Sequence, residues 1–215
     1  MHIPFKHPST ILVAGPTGSG KTVFVQRLLC ENMLFPRPTR IVIVYGEWQK
    51  IYDELLKVIP TLEFLKGPSP PSLYESFDVK ENNLLVLDDQ MTEGENTGQI
   101  EKYFVQGSHH RNLTVVFIVQ NLFGKNKALR TSSLNSNYLV LYKNPRDKQQ
   151  MGILGRQMYP HAWKNLLAAI GDATAEPYSY ILLDMCPETP EEYRVRSNIF
   201  PSEHDIPTTV YIIPG

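Results

Sequence analysis

The feature that most constrains this chain is a glycine-rich segment at residues 15–22, which reads GPTGSGKT. The apolar run at residues 11–14 precedes it, and a helical pattern over residues 23–33 follows it. This is the G-x-x-x-x-G-K-[ST] phosphate loop, in the strand–loop–helix context that the motif requires. Glycines let backbone N–H groups approach phosphate oxygens, and the following helix N-terminus adds partial positive charge. The segment therefore predicts a nucleotide-phosphate site on an α/β fold.

Every residue of the loop is expected to contact the nucleotide through its backbone or side chain. The ammonium group of Lys21 is placed to reach the β- and γ-phosphates, and the Thr22 hydroxyl is a ligand for Mg²⁺. The predicted cofactors are therefore ATP and Mg²⁺. The expected nucleotide-binding residues are Gly15, Pro16, Thr17, Gly18, Ser19, Gly20, Lys21 and Thr22.

Composition limits the other possibilities. The chain has 215 residues, 42% of them apolar and 20% charged, which suits one α/β domain with a sizeable core. We expect this domain to span residues 1–201 and residues 202–215 to form a tail or an edge strand. The net charge of −1 gives no overall basic field, so any nucleic-acid contact must come from a local patch or from many assembled copies.

Two cysteines, Cys30 and Cys186, provide neither a disulfide framework nor a metal site. A reducing compartment is therefore favoured. The first ten residues contain no apolar signal region, and no stretch approaches 18 apolar residues, so no membrane partner is expected.

Apolar β-type runs alternate with helical patterns along the chain, and several runs are apolar without alternation, as in buried parallel strands. This order predicts an open, mostly parallel sheet flanked by helices, with a β-hairpin over residues 178–200. Residues 66–82 are expected to form a loop. The predicted strands are 10–14, 40–45, 84–87, 114–119, 138–142 and 178–184, with an edge strand at 208–213. The predicted helices are 22–33, 48–58, 98–109, 147–158 and 160–170.

The second motif is acidic and follows a predicted buried strand. The segment LLVLDD at residues 84–89 has the form of a Walker B motif, which places Asp88 beside the phosphate loop. There Asp88 is expected to hold Mg²⁺, and Asp89 to polarise the attacking water.

Gln120 ends the apolar strand at 114–119 and is expected to contact the γ-phosphate or the water, although an amide that caps a strand end has the same pattern. Chain order places this strand between the two Walker strands. That arrangement is typical of the ASCE class of P-loop NTPases, which includes RecA-like and FtsK-like ATPases.

Basic residues occur in two further places. Arg111 lies at a helix end and is a candidate for an arginine that reaches the γ-phosphate of a neighbouring subunit, or for a solvated or capping arginine. The loop after Gln120 carries Lys125, Lys127 and Arg130 and no acidic residue. In a ring of subunits it would present repeated positive charge to a DNA backbone; alone it would be a solvated basic loop.

Together these motifs resemble a known family. The two Walker segments, SHHRNLTVVFIVQNLF at 108–123, LNSNYLVLYKNPRDKQQ at 134–150 and PETPEEYRVRSNIFP at 187–201 are similar to the genome-packaging ATPases of Polinton (Maverick) elements and adintoviruses. These belong to the FtsK–HerA superfamily of DNA-pumping ATPases. The resemblance covers about residues 8–201, nearly the whole chain.

The resemblance implies a hexamer-like homo-oligomeric ring that hydrolyses ATP at subunit interfaces and packages double-stranded DNA into a viral capsid. A capsid or portal protein is the further implied partner, and an intracellular location in a host, with association with virions, is expected. By position, Lys21, Thr22, Asp88, Asp89 and Gln120 take the roles given above. Arg111 is the nearest match to the arginine that precedes the sensor strand, and Asp89 stands where the superfamily more often has glutamate.

Two alternative functions share the phosphate loop. A nucleotide or small-molecule kinase would phosphorylate a small acceptor and ignore DNA, but no Arg-rich lid is visible and the Asp88–Asp89 pair argues against it. A nucleotide-gated assembly protein would bind ATP without turnover, and the presence of both Asp89 and Gln120 weighs against this.

Overall fold

A nine-stranded sheet organises the part of the chain that the structure, a computed structural model, describes: residues 3–88, 97–107, 110–122, 132–146, 148–203 and 207–214. The strands are β1 (Phe5–Lys6), β2 (Thr10–Ala14), β3 (Leu34–Phe35), β4 (Arg40–Tyr45), β5 (Glu63–Lys66), β6 (Asn83–Asp88), β7 (Leu113–Val119), β8 (Tyr138–Tyr142), β9 (Tyr180–Asp184), β10 (Val195–Ser197) and β11 (Thr209–Val210). The helices are α1 (Lys21–Cys30), α2 (Lys50–Val58), α3 (Pro71–Ser76), α4 (Thr97–Lys102), α5 (Lys148–Met158) and α6 (Trp163–Ala173). A π-helical turn lies at Tyr103–Gly107 and a 3₁₀ turn at Glu191–Tyr193.

The large sheet has the strand order β11-β10-β9-β8-β2-β7-β6-β4-β5, and the other two strands, β1 and β3, pair in parallel with each other in a small separate sheet. The six strands from β8 to β5 pair in parallel, and β9, β10 and β11 add antiparallel pairs at one edge. The predicted mostly parallel α/β sheet is therefore confirmed. The strand that ends before Gln120, β7, lies between β2 and β6 as predicted from chain order.

Strand register brings the predicted site segments together at the carboxyl ends of the central parallel strands. Ala14, the last residue of β2, pairs with Val119, the last residue of β7. Asp88, the last residue of β6, pairs with Ile118, one residue earlier. The carboxyl ends of these three strands are thus level, and the segments that follow them leave the sheet side by side.

Helices cover both faces of the sheet. Alternate residues of β2 point to opposite faces, so Leu12 packs among the residues of α3 to α6, while Ile11 and Val13 pack against α1 and α2. All three are fully buried. Burial on both faces explains why the central strands read as continuous apolar runs.

The sequence prediction was wrong in several local details. Residues 66–82 contain a helix, α3, because Pro71 suits the first helical turn and the buried Leu73 and Tyr74 anchor it to the core. The strand predicted at 178–184 begins only at Tyr180, since Tyr178 has a positive φ of 64°. The helix predicted at 160–170 is α6, which begins at Trp163. The helix predicted at 98–109 ends in the π-helical turn, and β1, β3 and β5 were not predicted.

The C-terminal region forms the predicted hairpin from β9 and β10, which pair antiparallel. The expected edge strand over 208–213 is shorter, because only β11 pairs with β10. Beyond β10, Ser202 and Glu203 bond to Glu31 and Arg27 near the end of α1. The division of the chain at residue 201 stays a prediction.

Candidate nucleotide-binding site

The loop between β2 and α1 has the backbone shape that its glycines allow. Gly20 has a φ of 103° and Gly18 a φ of 77°, both in the left-handed region that side chains other than glycine rarely adopt. A Cβ atom on Gly15 would lie 2.6 Å from Cβ of Tyr142 and 2.8 Å from Oγ of Ser19. The loop therefore folds tightly against β8 because position 15 has no side chain.

Polar groups of the loop suit an anionic ligand. Helix α1 begins after Gly20 with no side-chain cap and no acidic residue in its first turn, so its first N–H groups have no side-chain acceptor. The Ser19 hydroxyl oxygen is buried and has no hydrogen-bond partner within the described part of the chain. Phosphate oxygens would satisfy both, and the residues present therefore fit a polyphosphate.

Lys21, the first residue of α1, turns back toward the loop. Its Nζ donates to the carbonyl oxygens of Gly15 and Pro16 at 2.7 and 2.8 Å. The ammonium charge is thus held within the loop. A phosphate oxygen, which carries negative charge, is a stronger acceptor for it than a neutral carbonyl.

Thr22 and Asp88 meet across the sheet, 66 residues apart in sequence. The Thr22 hydroxyl Oγ1 lies 3.3 Å from Oδ2 of Asp88, which is buried at the end of β6. A hydroxyl and a carboxylate beside a phosphate site are a donor set that Mg²⁺ accepts. Among the residues that the structure describes, no cluster of three or more His, Cys, Asp or Glu side chains is placed to hold a metal ion.

Gln120 also lies at the carboxyl ends of the central strands. It is exposed immediately after β7 and shares a small cleft with Gly15, Tyr142 and Asn144. The structure thus brings Gln120 next to the phosphate loop, as expected. Asp89, the predicted water-polarising acid, lies outside the described residues, as do the candidate DNA contacts Lys125, Lys127 and Arg130.

Arg111 lies at the amino-terminal ends of the parallel strands, opposite the end that carries the phosphate loop. It precedes β7, and its carbonyl accepts a hydrogen bond from the side-chain amide of Asn83 at the start of β6. Its guanidinium pairs with Glu75 and lies 5.3 Å from the ring centre of Tyr74. Because β7 runs between them, Arg111 is about 20 Å from the phosphate loop of its own chain.

Three residues that bond to the candidate site were not identified from the sequence. The hydroxyl of Tyr52 and the amide of Gln49 donate to Oδ2 of Asp88 at 2.6 and 3.1 Å. The Tyr142 hydroxyl donates to the Gly20 carbonyl at 3.2 Å, and burial raises the pKa of Tyr142, which keeps it protonated as a donor. Gln49 and Tyr52 follow β4, the strand beside β6, so only the strand order could have pointed to them.

A cavity of about 690 Å³ adjoins the phosphate loop on the side away from Asp88. It lies between α1 and the C-terminal strands, beyond β8. Tyr178 is 73% exposed at this cavity and lies beside the phosphate loop. A Cβ atom added to Gly20 would be 3.7 Å from the Cβ atom of Tyr178. Other lining residues include Val23, Phe24, Asp172, Asn198 and Tyr211.

The fold and the loop geometry define the class: this is an α/β P-loop NTPase fold. The structure is similar to the genome packaging NTPase B204 of Sulfolobus turreted icosahedral virus 2 in complex with ATP-gammaS, with a TM-score of 0.56 and 11% sequence identity. That match covers 84% of this chain and 94% of the other. At such identity the likeness establishes the fold.

A second similar structure is B204, the DNA-packaging ATPase from Sulfolobus turreted icosahedral virus. Its TM-score is 0.53 at 8% identity, and the match covers 96% of this chain and 98% of that one. The AMPPCP complex of the virus 2 protein gives a TM-score of 0.53 at 12% identity over 84% and 94% of the two chains. No protein-family model and no curated protein sequence matches the chain.

Within the described ranges, no helix combines the length and the apolar character that a bilayer crossing requires.

Proposed function

We propose that this chain is an ATP-hydrolysing motor that moves double-stranded DNA into a viral or virus-like capsid. The observation that carries the proposal is the contact between Thr22 of the phosphate loop and Asp88 of β6, at 3.3 Å. It joins a phosphate-binding loop to an acid suited to Mg²⁺ in a fold shared, over nearly its full length, with two viral packaging ATPases. The finer relationship to Polinton and adintovirus packaging ATPases stays a prediction from the sequence.

The residues of the site divide the work of phosphoryl transfer. The loop amides and Lys21 bind and orient the triphosphate, and Thr22 and Asp88 would hold Mg²⁺, which neutralises charge on the β- and γ-phosphates when bound. Asp89 is assigned to orient the attacking water and to accept its proton. Gln120, beside Gly15, is assigned to position the water or the γ-phosphate. Little covalent chemistry is required of the protein, because positioning and charge neutralisation lower the barrier.

The cavity beside Gly20 is the proposed site of the nucleobase and ribose. A triphosphate whose γ end faces Asp88 must direct its other end away from β6, toward β8 and the C-terminal strands. The cavity opens there, and Tyr178 offers an exposed aromatic ring at its wall. Base–aromatic stacking contributes roughly 1–3 kcal/mol.

Assembly and DNA contact complete the proposal. Arg111 is too far from its own phosphate loop to act there, which favours a ring in which it serves a neighbouring subunit. Lys125, Lys127 and Arg130 are the proposed contacts to the DNA backbone. A capsid or portal protein would hold the ring, inside the host cell and on the assembling particle.

Substitution of Lys21 by alanine tests the nucleotide site. Lys21→Ala should abolish ATP hydrolysis and leave the thermal unfolding midpoint close to that of the wild type, because the bonds from Nζ to the carbonyl oxygens of Gly15 and Pro16 lie in a loop outside the hydrophobic core. Lys57→Ala, which removes an exposed lysine from the end of α2, is the matched control and should retain activity. Normal DNA-stimulated turnover by Lys21→Ala would refute the assignment, and ATP-dependent phosphorylation of a small acceptor would favour the kinase alternative.

A further inference from the structure

The carboxylate of Asp88 receives three hydrogen bonds on a single oxygen. Tyr52 donates to Oδ2 from 2.6 Å, Gln49 from 3.1 Å and Thr22 from 3.3 Å. Distances near 2.6 Å are typical of a hydroxyl that donates to an ionised carboxylate, and such bonds are about twice as strong as neutral ones. The Tyr52 bond is therefore the strongest of the three.

Packing holds the Tyr52 hydroxyl in place. The residue is 1% exposed and its ring lies in an aromatic cluster formed with Tyr45, Trp48 and Phe64. The ring centres are 5.3–5.7 Å from that of Tyr52. Because the ring is enclosed on these sides, its hydroxyl has a fixed direction relative to the sheet edge.

Gln49 reinforces the arrangement from the residue that precedes α2. Its amide nitrogen lies 3.4 Å from the Tyr52 hydroxyl as well as 3.1 Å from Asp88. The two donors therefore reach the carboxylate from the same helix start. Strand pairing adds to this, since Tyr45 of β4 is opposite Asp88 of β6 in the sheet.

We infer that Tyr52, assisted by Gln49, is a positioning residue that fixes the orientation of the metal-binding carboxylate of Asp88. This inference rests on the proposed function, because it assumes that Asp88 serves a nucleotide-bound Mg²⁺. Residues that hydrogen-bond to a metal ligand orient it and tune its affinity, and their loss typically weakens metal binding by roughly 10–100-fold. Tyr52 would thereby set how much Mg²⁺ strengthens the binding of ATP.

A binding experiment that needs no turnover tests this. The affinity for a fluorescent ATP analogue is measured in EDTA and in saturating Mg²⁺, and the ratio of the two affinities reports the contribution of the metal. Tyr52→Phe should reduce this ratio by roughly tenfold, because the donor to Asp88 is lost while the ring remains. The affinity in EDTA should be unchanged.

The matched control is Tyr103→Phe. Tyr103 is fully buried, and its hydroxyl forms a 2.6 Å hydrogen bond with Ser69, away from the phosphate loop. Both variants lose one short buried hydroxyl bond, so both should lose similar thermal stability. Of these two variants, only Tyr52→Phe should lower the Mg²⁺ ratio. Gln49→Met, which removes the second donor at similar size, should lower the ratio less than Tyr52→Phe does, and it gives the same test should Tyr52→Phe fail to fold.

The outcomes separate this inference from the proposed function. A wild-type chain whose affinity for the analogue does not respond to Mg²⁺ would overturn the proposed function and the inference together. A wild-type chain that responds, with Tyr52→Phe and Gln49→Met responding equally well, would overturn only the role of Tyr52. A decrease of the ratio in Tyr103→Phe as large as in Tyr52→Phe would also overturn it, since the effect would then reflect general stability.

Discussion

At the scale of single residues, Tyr178 combines an unfavourable backbone with an exposed aromatic ring. Its φ of 64° lies in the left-handed region, where a bulky residue is strained by roughly 1–3 kcal/mol. The residue is 73% exposed, so burial of its side chain does not compensate for the strain. Strain retained without local compensation is characteristic of functional positions, which agrees with the proposed stacking of a nucleobase here.

Substitution of Tyr178 separates stability from binding. Tyr178→Gly should leave the protein equally or more stable, because glycine adopts this φ without strain. It should weaken ATP binding by about 1–3 kcal/mol through loss of stacking and leave the affinity for inorganic tripolyphosphate unchanged. Tyr178→Phe retains the ring and should bind both ligands as the wild type does. Competition against a fluorescent nucleotide measures each affinity, and an equal loss for both ligands would place Tyr178 outside the base site.

The residues of the site differ in how far the sequence predicted them. Those of the phosphate loop and Asp88 lie in local motifs, whose spacing reflects the chemistry of phosphate and Mg²⁺. Tyr52 and Tyr142 belong to no motif, because their partners lie 36 and 122 residues away. Their roles depend on which strands are neighbours and on register, and neither is encoded in a short segment.

At the scale of elements, burial decided which predictions succeeded. The strands β2, β4 and β8 have the predicted bounds, since their apolar runs are enclosed in the centre of the sheet. Strand β5 was missed because it lies at the sheet edge, where the charged Glu63 and Lys66 are exposed and Phe64 and Leu65 are only half-buried. The pattern of an edge strand is too weak to separate it from a loop.

The C-terminal hairpin contains a buried ion pair that should be important for stability. Arg196 of β10 donates to Oδ2 of Asp184 of β9 at 2.9 Å, and both side chains are at most 4% exposed. Asp184→Ala would leave a buried guanidinium without this partner, and we expect a loss of about 3–5 kcal/mol in the free energy of unfolding. Denaturant titration measures this loss.

Glu188→Gln, which breaks the exposed pair with Lys6, is the control and should leave the midpoint of denaturant unfolding unchanged. A loss below about 1 kcal/mol for Asp184→Ala would show that the pair does not stabilise the hairpin.

At the scale of the whole molecule, the sequence predicted the order of the three central strands but not the contacts that Arg111 makes within its own chain. Strand order follows from the chain order of the motifs and from the preference for parallel sheets. The proposed contact with a neighbour involves Arg111, at the amino-terminal ends of the parallel strands, where it pairs with Glu75 of the same chain. For Arg111 to reach a neighbour's γ-phosphate, it would have to exchange this partner for a phosphate.

Mixing of two inactive variants tests whether the site is shared between subunits. Lys21→Ala lacks a functional phosphate loop, and Arg111→Ala lacks the proposed arginine of the neighbouring subunit, so each alone should hydrolyse ATP very slowly. In an equimolar mixture of randomly assembled rings, about a quarter of the interfaces would join an intact loop to an intact arginine. The mixture should therefore regain up to about a quarter of the wild-type ATPase rate. This rate should rise with protein concentration, because the rings must assemble, and duplex DNA should stimulate it further.

Glu75→Gln removes the partner of Arg111 but keeps the arginine, so it should remain active if the arginine acts on a neighbour. Two results together would show that Arg111 only supports the fold of its own chain. The mixture would show no recovery of activity, and the Glu75→Gln variant would be as inactive as Arg111→Ala.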